Sequence, residues 1–410
     1  DDVYFDENSF TTENQVVNIN QSPVKFHNMD WTGAQYAPRL DNDCCRQMHA
    51  FGSITVPESV EFDSYYLYLY SKDDTAHISI KMDDDDYITR LYFYGTANYF
   101  ITDSIYVSSY TYHHNGNIHF SDVSAYMGRF NIYEGNEKEV NFDNANVRVS
   151  YWNHDGPNTT TLNFNNSRLY VDKDFEGRDK TYGEVYFTGQ SDVDGSNTFS
   201  KLVFMPGSEI SLPAHTTQTT DELVVNGKRD KPISIESTGS GIHSTISQPN
   251  DTVFGNYLVL KDSRVTGGAV FYADNAIDNG NNDGWIMTPF SPRNYYWVGD
   301  GGSWDDLNHW ATTSGGSTTY DAPAYIKDTV IFDEHSFTRD DETVELQKNI
   351  GFARMDWRDN DDAVTFKANG YDAKSHGSIY LGNKVFANLD GVTLHSDFLN
   401  VEILPGKNGL

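Results

Sequence analysis

The chain has 410 residues, with 29 Lys+Arg against 60 Asp+Glu and a formal net charge of −31. That balance excludes the clustered cationic face needed for nucleic acid, and an anionic membrane surface as a partner. No run approaches the roughly 20 apolar residues of a membrane helix, so no membrane insertion is expected. Its 27 Tyr, 24 Phe and 32 Gly favour pleated surfaces and tight turns over helices.

In chain order, the opening "DDVYFDENSF" starts mid-pattern and reads as a mature or excised piece of something longer. The only cysteines, Cys44 and Cys45, are adjacent. Neighbours are too constrained to bridge each other and too few for a disulfide scaffold or zinc site, so they read as unbridged or buried thiols. Many runs of four to six residues follow, such as "HISIKM", "RLYFYG", "SIYVSS" and "NIHFSD". Each alternates in polarity and ends at Gly, Asn or Asp, the signature of short strands. Asp83 to Asp86 form a run of four carboxylates, read as a solvated loop, with an adsorbed divalent cation as the functional alternative. His113, His114 and His119 lie close in sequence. Strand parity puts His114 opposite the other two, so they read as surface or turn histidines rather than one metal site.

"VNFDNANVRV" (Val140–Val149) returns as "LNFNNSRLYV" (Leu162–Val171), with Phe142 and Phe164 separated by 22 residues. A coil of that length, built from short strands and Asn-containing turns, predicts a right-handed parallel β-helix, with a β-sandwich array, which does not explain the echo, as the runner-up. Later, "DNGNNDGW" places Asp278, Asn279, Asn281 and Asp283 close together between permissive glycines. Calcium binds such oxygen-rich loops, and a hydrogen-bonded end-cap turn is the structural alternative. No cofactor other than calcium is a candidate. Trp297, Trp304 and Trp310 then interleave with glycines in "WVGDGGSWDDLNHW". With His309 as a hydrogen-bonding partner they predict a buried structural cap rather than an acid/base cluster.

The opening of the chain recurs near its end. Phe5, Asp6, Glu7, Ser9 and Phe10 align with Phe332, Asp333, Glu334, Ser336 and Phe337 at an offset of 327. Met29-Asp30-Trp31 aligns with Met355-Asp356-Trp357 at 326, and Gly52-Ser53-Ile54 with Gly377-Ser378-Ile379 at 325. Register held over about 50 residues indicates tandem units. The predicted architecture is all-β: residues 1–290 form most of one β-helix unit with its N-terminal edge missing, and residues 291–410 begin the next. A Trp/Gly-rich capping segment joins them, with the boundary near Ser291.

The order of "DDVYFD", "MDWTG", solenoid coils, "IDNGNNDGW" and "YYWVGDGGSWDDLNHWA" resembles the very long repetitive surface proteins of Bacteroidota. Those proteins are exported by the type IX secretion system, and several belong to the gliding-motility and adhesin class. The resemblance covers essentially the whole chain. It implies an extracellular, cell-surface location and a role in adhesion or structural extension, with neighbouring repeat units as partners and no catalysis. It also makes Asp-Ser/Thr steps look like the O-glycosylation sites of such bacteria, at Thr75, Ser104, Thr252 and Thr329. An Asx turn at a strand end is the alternative.

Two other functions fit a β-helix. Tyr and Trp along the coils would stack on sugars in a carbohydrate-binding surface module, or simply on each other as a stabilising ladder. A polysaccharide-degrading enzyme would need two placed carboxylates, or calcium beside a basic residue. Basic residues here are few and scattered.

Overall fold

Alternating polarity lets one face of each strand pack inward while the backbone pairs with the coils before and after. The computed structural model describes residues 1–82, 86–133, 135–155, 160–317, 320, 323–382, 384–388 and 401–403. It is nearly all β, and each of its two units is built from coils stacked in parallel. The chain divides into two compact units, residues 1–227 with 233–287, and residues 228–232 with 288–410. Sequence drew one boundary near Ser291. The structural division instead follows Met287 and also assigns Lys228–Pro232 to the second unit.

In the first unit, one wall is an eight-stranded parallel sheet running from Val3–Tyr4 to Thr160–Asn165. Its inward positions stack in register: Met29 on Ile54, Ile54 on Ile78, Ile78 on Ile101, Ile101 on Phe120 and Phe120 on Phe142. Phe142 pairs with Phe164, so the 22-residue echo is one turn of the solenoid. Elsewhere the turn lengthens or shortens. Leu169 pairs with Val185, and Thr217 with Thr245.

The second wall turns a corner inside each long strand. The strand Ile105–His113 slips register between Val107 and Tyr110, and Arg39–Ala50 between Asn42 and Gln47. Such bulges bend a strand while keeping its outer pairing. Beyond the corner, Leu69, Phe93, His113, Ile132 and His154 form one inward column. His113 and His154 are therefore core residues. His114 lies on the outer face between Tyr94 and Tyr133, with ring centroids 4.3 and 4.7 Å away. His119 stacks on Phe100 at 4.5 Å on the other wall. Parity counted from His113 to His119 fails because the turn at Asn115 and Gly116 resets the alternation.

Asn and Asp at coil corners have a specific task. Asp122, Asn144 and Asn166 occupy the left-handed region at φ 56°, 49° and 47° in successive turns. Short polar side chains tolerate that region better than others. Asn166 Nδ2 donates to Asn144 Oδ1 at 2.7 Å, so the corners also bond to one another. The urea midpoint should distinguish these two contributions. Asn144→Gly should cost about 1 kcal/mol, the lost hydrogen bond. Asn144→Val should cost about 2–3 kcal/mol, because a β-branched residue also resists φ > 0.

The second unit repeats the opening of the first. Val3 pairs with Met29 and Met29 with Ile54; Val330 pairs with Met355 and Met355 with Ile379. Phe5 stacks on Trp31 at 3.6 Å and 18°, and Phe332 on Trp357 at 3.4 Å and 1°. The turn after each phenylalanine is the same. Asp6 N donates to Ser9 Oγ, Asn8 N to Asp6 Oδ1 and Ser9 N to Asp6 O, at 2.9, 2.9 and 3.1 Å. Asp333 N donates to Ser336 Oγ, His335 N to Asp333 Oδ1 and Ser336 N to Asp333 O, at 2.9, 3.0 and 3.0 Å.

Candidate functional site

Side chains pointing out of the coils also stack, one per turn, about 4.8 Å apart along the ladder. Two aromatic surfaces result. Beyond the corner, Tyr68, Tyr92 and Tyr112 are register partners, with centroids 4.2 and 4.7 Å apart and nearly parallel rings. Beside them run Tyr70, Tyr94, His114 and Tyr133, and Arg90 lies over Tyr66 and Tyr110 at 5.2 and 5.3 Å. These rings are half-buried by one another. Burial raises the Tyr68 hydroxyl pKa and pushes that of Tyr112 up to about 12.

Before the corner, Tyr106, Tyr126, Arg148 and Tyr170 are successive register partners. They line a groove of about 720 Å³ that also includes Ser104 and Asp86. Tyr106 and Tyr126 stack at 5.0 Å, and Tyr106 remains 43% exposed, so ring face is available to a ligand. Arg148 is oriented by Asp172, Nε to Oδ2 at 2.9 Å. Asp86 is buried, and its Oδ1 accepts the Phe62 N–H at 2.7 Å. Of the acidic run Asp83 to Asp86, residues 83–85 lie outside the described residues. The groove thus offers tyrosine faces for stacking, with a guanidinium and a hydroxyl for hydrogen bonding. Sequence reasoning anticipated exposed tyrosines along the coils but did not single these out. The signal is spacing, since each sits one coil length after the last.

The tryptophan block lies in the second unit. Trp297, Trp304 and Trp310 are fully buried, so none has a ring face open to a sugar. Trp297 Nε1 donates to Asp300 O at 2.6 Å, and Trp310 Nε1 to Trp304 O at 2.8 Å. His309 stacks flat on Trp297, 4.5 Å away at 2°, and its Nδ1 lies 2.8 Å from Val298 O. A Cβ on Gly302 would come within 2.1 Å of His309 Nε2, so any other residue there would have to displace the imidazole stacked on Trp297. Trp304 also meets Phe352 and Phe366. Asp306 accepts from Asn308 N at 3.0 Å and caps the short helical turn Leu307–His309, while Asp305 pairs with Lys348 at 3.1 Å.

The oxygen-rich loop after the first unit's last coils is internally bonded. Asp278 Oδ1 accepts from Gly280 N at 2.9 Å and Asn282 Nδ2 at 2.7 Å. Asn279 N donates to Leu260 O, and Asn281 Nδ2 to Asp262 Oδ1 at 2.6 Å. Asp283 pairs with Arg264 at 3.1 Å. A cation between Asp278 and Asp283 would compete with that guanidinium. Among the described residues, no group of three or more His, Cys, Asp or Glu is placed to hold a metal ion.

The four Asp-Ser/Thr steps fall into two settings. Thr75, Ser104 and Thr252 are exposed. Thr329 is half-buried, and its neighbour Asp328 is fully buried against Arg229, Nη2 to Oδ1 at 2.5 Å. Asp328 also accepts from Arg293 N and Tyr325 N, at 2.8 and 2.9 Å. Burial raises its pKa even so.

Sequence reasoning missed two buried cations, Arg229 beside Asp328 and Lys138. Lys138 is 2% exposed, and its ammonium donates to the carbonyls of His113 and His114, at 3.2 and 3.0 Å, and to that of Tyr133. Burial lowers its pKa to about 8. Burial likewise lowers His113 to about 3 and His154 to about 4, from 6.5. Both therefore fold as neutral imidazoles, with His113 Nε2 donating to Gly116 O at 2.8 Å.

Two predictions come from this geometry. An imidazole with a depressed folded-state pKa costs nothing above pH 6.5 and a growing penalty below it, because only the unfolded chain takes up the proton. Unfolding stability should fall between pH 6.5 and 4 by roughly 3 kcal/mol per histidine. His113→Gln keeps a donor toward Gly116 but cannot charge. Its urea midpoint should therefore fall correspondingly less across that range. Separately, Trp304→Ala should destabilise the second unit by about 3–5 kcal/mol, read as early loss of the tryptophan fluorescence transition.

No protein-family model matches the chain, and no curated protein or solved structure matches it.

Proposed function

We propose that the chain is a structural and adhesive repeat region of a giant protein displayed outside the cell, serving surface attachment or gliding motility. The observation that carries this reading is duplication of a complete solenoid opening. Strand register, Phe–Trp stack and Asp–Ser turn all recur at the offsets found in the sequence. Repetition at that scale suits a polypeptide whose task is reach and multivalent contact, since each added unit adds length and another copy of any binding surface. A net charge of −31 supports solubility over such length. The exposed Thr75, Ser104 and Thr252 would be the O-glycosylated positions.

A second reading, a carbohydrate-binding surface module, is favoured by one specific feature, the groove of Tyr106, Tyr126, Arg148 and Tyr170. Stacking and hydrogen bonding suffice to hold a glycan. Glycoside hydrolysis instead needs two carboxylates about 5–9.5 Å apart. Asp86 is the single carboxylate among the described lining residues. The reading is therefore of a non-catalytic protein.

Beads coated with the purified chain should adhere to abiotic and cell surfaces more strongly than beads coated with heat-unfolded chain. Incubation with a polysaccharide panel should release no new reducing ends. Product release that scales with protein and disappears in Tyr126→Ala would overturn the non-catalytic reading. Beads that adhere no better than the unfolded control would overturn the adhesive one.

A further inference from the structure

The two equivalent openings differ in what covers them. In the second unit, Asn294–Trp297 pairs in parallel with the outer edge of Thr329–Ile331, and Gly302–Ser303 with the outer edge of Glu342–Glu345. The tryptophan block thereby closes the first coil. The counterparts in the first unit are Val3–Tyr4 and Val16–Asn18. Each pairs on its inner side, with Met29–Asp30 and Arg39–Ala50, and among the described residues neither has a strand on its outer side.

Burial follows the cap. Phe332, Ser336 and Val344 are fully buried. Phe5 and Val17 are half-buried, Ser9 is exposed, and Tyr4 and Val16 are 66% and 47% exposed. An apolar strand edge with unpaired backbone groups is a ready template for another strand.

We infer that this edge is a docking surface for a polypeptide segment with the chemistry of Asn294–Ala311, an extended Tyr/Trp strand followed by a glycine turn and a buried tryptophan cap. This rests on the equivalence of the two opening coils and not on the adhesive role proposed above.

The contact set that such a segment uses is retained at the open edge. Trp297 packs on Phe332 at 5.7 Å, and Phe5 is the equivalent ring. Asp300 accepts from Thr338 N and Oγ1 at 2.6 and 2.9 Å, and Thr11 is the equivalent threonine. Gly301 N donates to Glu342 Oε2 at 2.8 Å; the equivalent Gln15 Oε1 accepts from Thr11 N and Thr12 N at 2.7 and 3.2 Å at the open edge, bonds that a docked segment would replace. Asp300 N and Trp304 N donate to the carbonyls of Ser336 and Glu345, which map onto Ser9 and Asn18. Val344, buried beneath the cap, maps onto Val17. Two strand edges, an aromatic face and a threonine hydroxyl therefore recur at the spacing the cap requires.

The test grafts a second copy of residues 288–328 ahead of Asp2 of the full chain, which reproduces the connection found before Thr329. Amide hydrogen exchange is followed at Tyr4 and Asn18, the positions equivalent to Ile331 and Glu345. At least tenfold slower exchange at both is expected, with loss of the effect when the grafted copy carries Trp297→Ala and Trp304→Ala. Unchanged exchange in the graft would overturn the proposal. So would concentration-dependent protection of the same amides in the ungrafted chain, which would make a second copy of the chain the occupant. Bead adhesion unchanged by the graft would leave the docking result standing by itself.

Discussion

Everything in this molecule depends on one constraint, the in-register parallel stacking of each coil on the next. Backbone pairing every 4.8 Å or so forces like positions into columns, and the side-chain choices follow. Inward columns carry aliphatic and aromatic residues, as in the run from Met29 to Phe142. Corner columns carry Asn and Asp, whose side chains both tolerate φ > 0 and bond along the axis. Outward columns stack tyrosines into surfaces that a discontinuous fold would not assemble.

The same constraint creates the fold's liability. A stack has ends, and an end coil exposes unpaired backbone and apolar side chains. The second unit closes its end with Trp297, Trp304 and Trp310, which fill the core and supply two strands to the coil's outer edge. Polar groups inside the stack also need local answers. Lys138 is held by three carbonyls, and His113 and His154 stay neutral within an apolar column. The result is a body whose interior chemistry serves its own continuity and whose outer columns carry the candidate binding features.

Much of this was legible beforehand because periodicity is a property of the sequence itself. The Phe142–Phe164 echo is one coil, and the Phe5/Phe332 and Trp31/Trp357 alignments return as equivalent stacks. What could not be read is whatever depends on where a corner falls. A turn at Gly116 reverses the facing of His119 relative to a count from His113, and the bulge between Val107 and Tyr110 splits one strand into two outer surfaces. Coil length is not constant either: Tyr126, Arg148 and Tyr170 keep the 22-residue period, but Tyr106 precedes Tyr126 by 20, so a strict repeat misses the start of that column. Lys138 carried no signal at all, because its three acceptors are backbone carbonyls, two of them from the preceding turn and one from its own.

The central claim is the register of stacking, and a paired-cysteine measurement tests it most directly. Asn141 and Asn163 are register partners on the outer face, with Asn163 Nδ2 donating to Asn141 Oδ1 at 2.6 Å. Adjacent strands bring such partners to about 4.8 Å, within the Cα separation a disulfide spans. With Cys44 and Cys45 changed to serine, the pair Asn141→Cys and Asn163→Cys should oxidise readily in the folded protein. The pair Asn141→Cys and Asn165→Cys, two residues out of register, should not. Equal cross-linking of both pairs, or cross-linking of the second alone, would contradict the stacked-coil account.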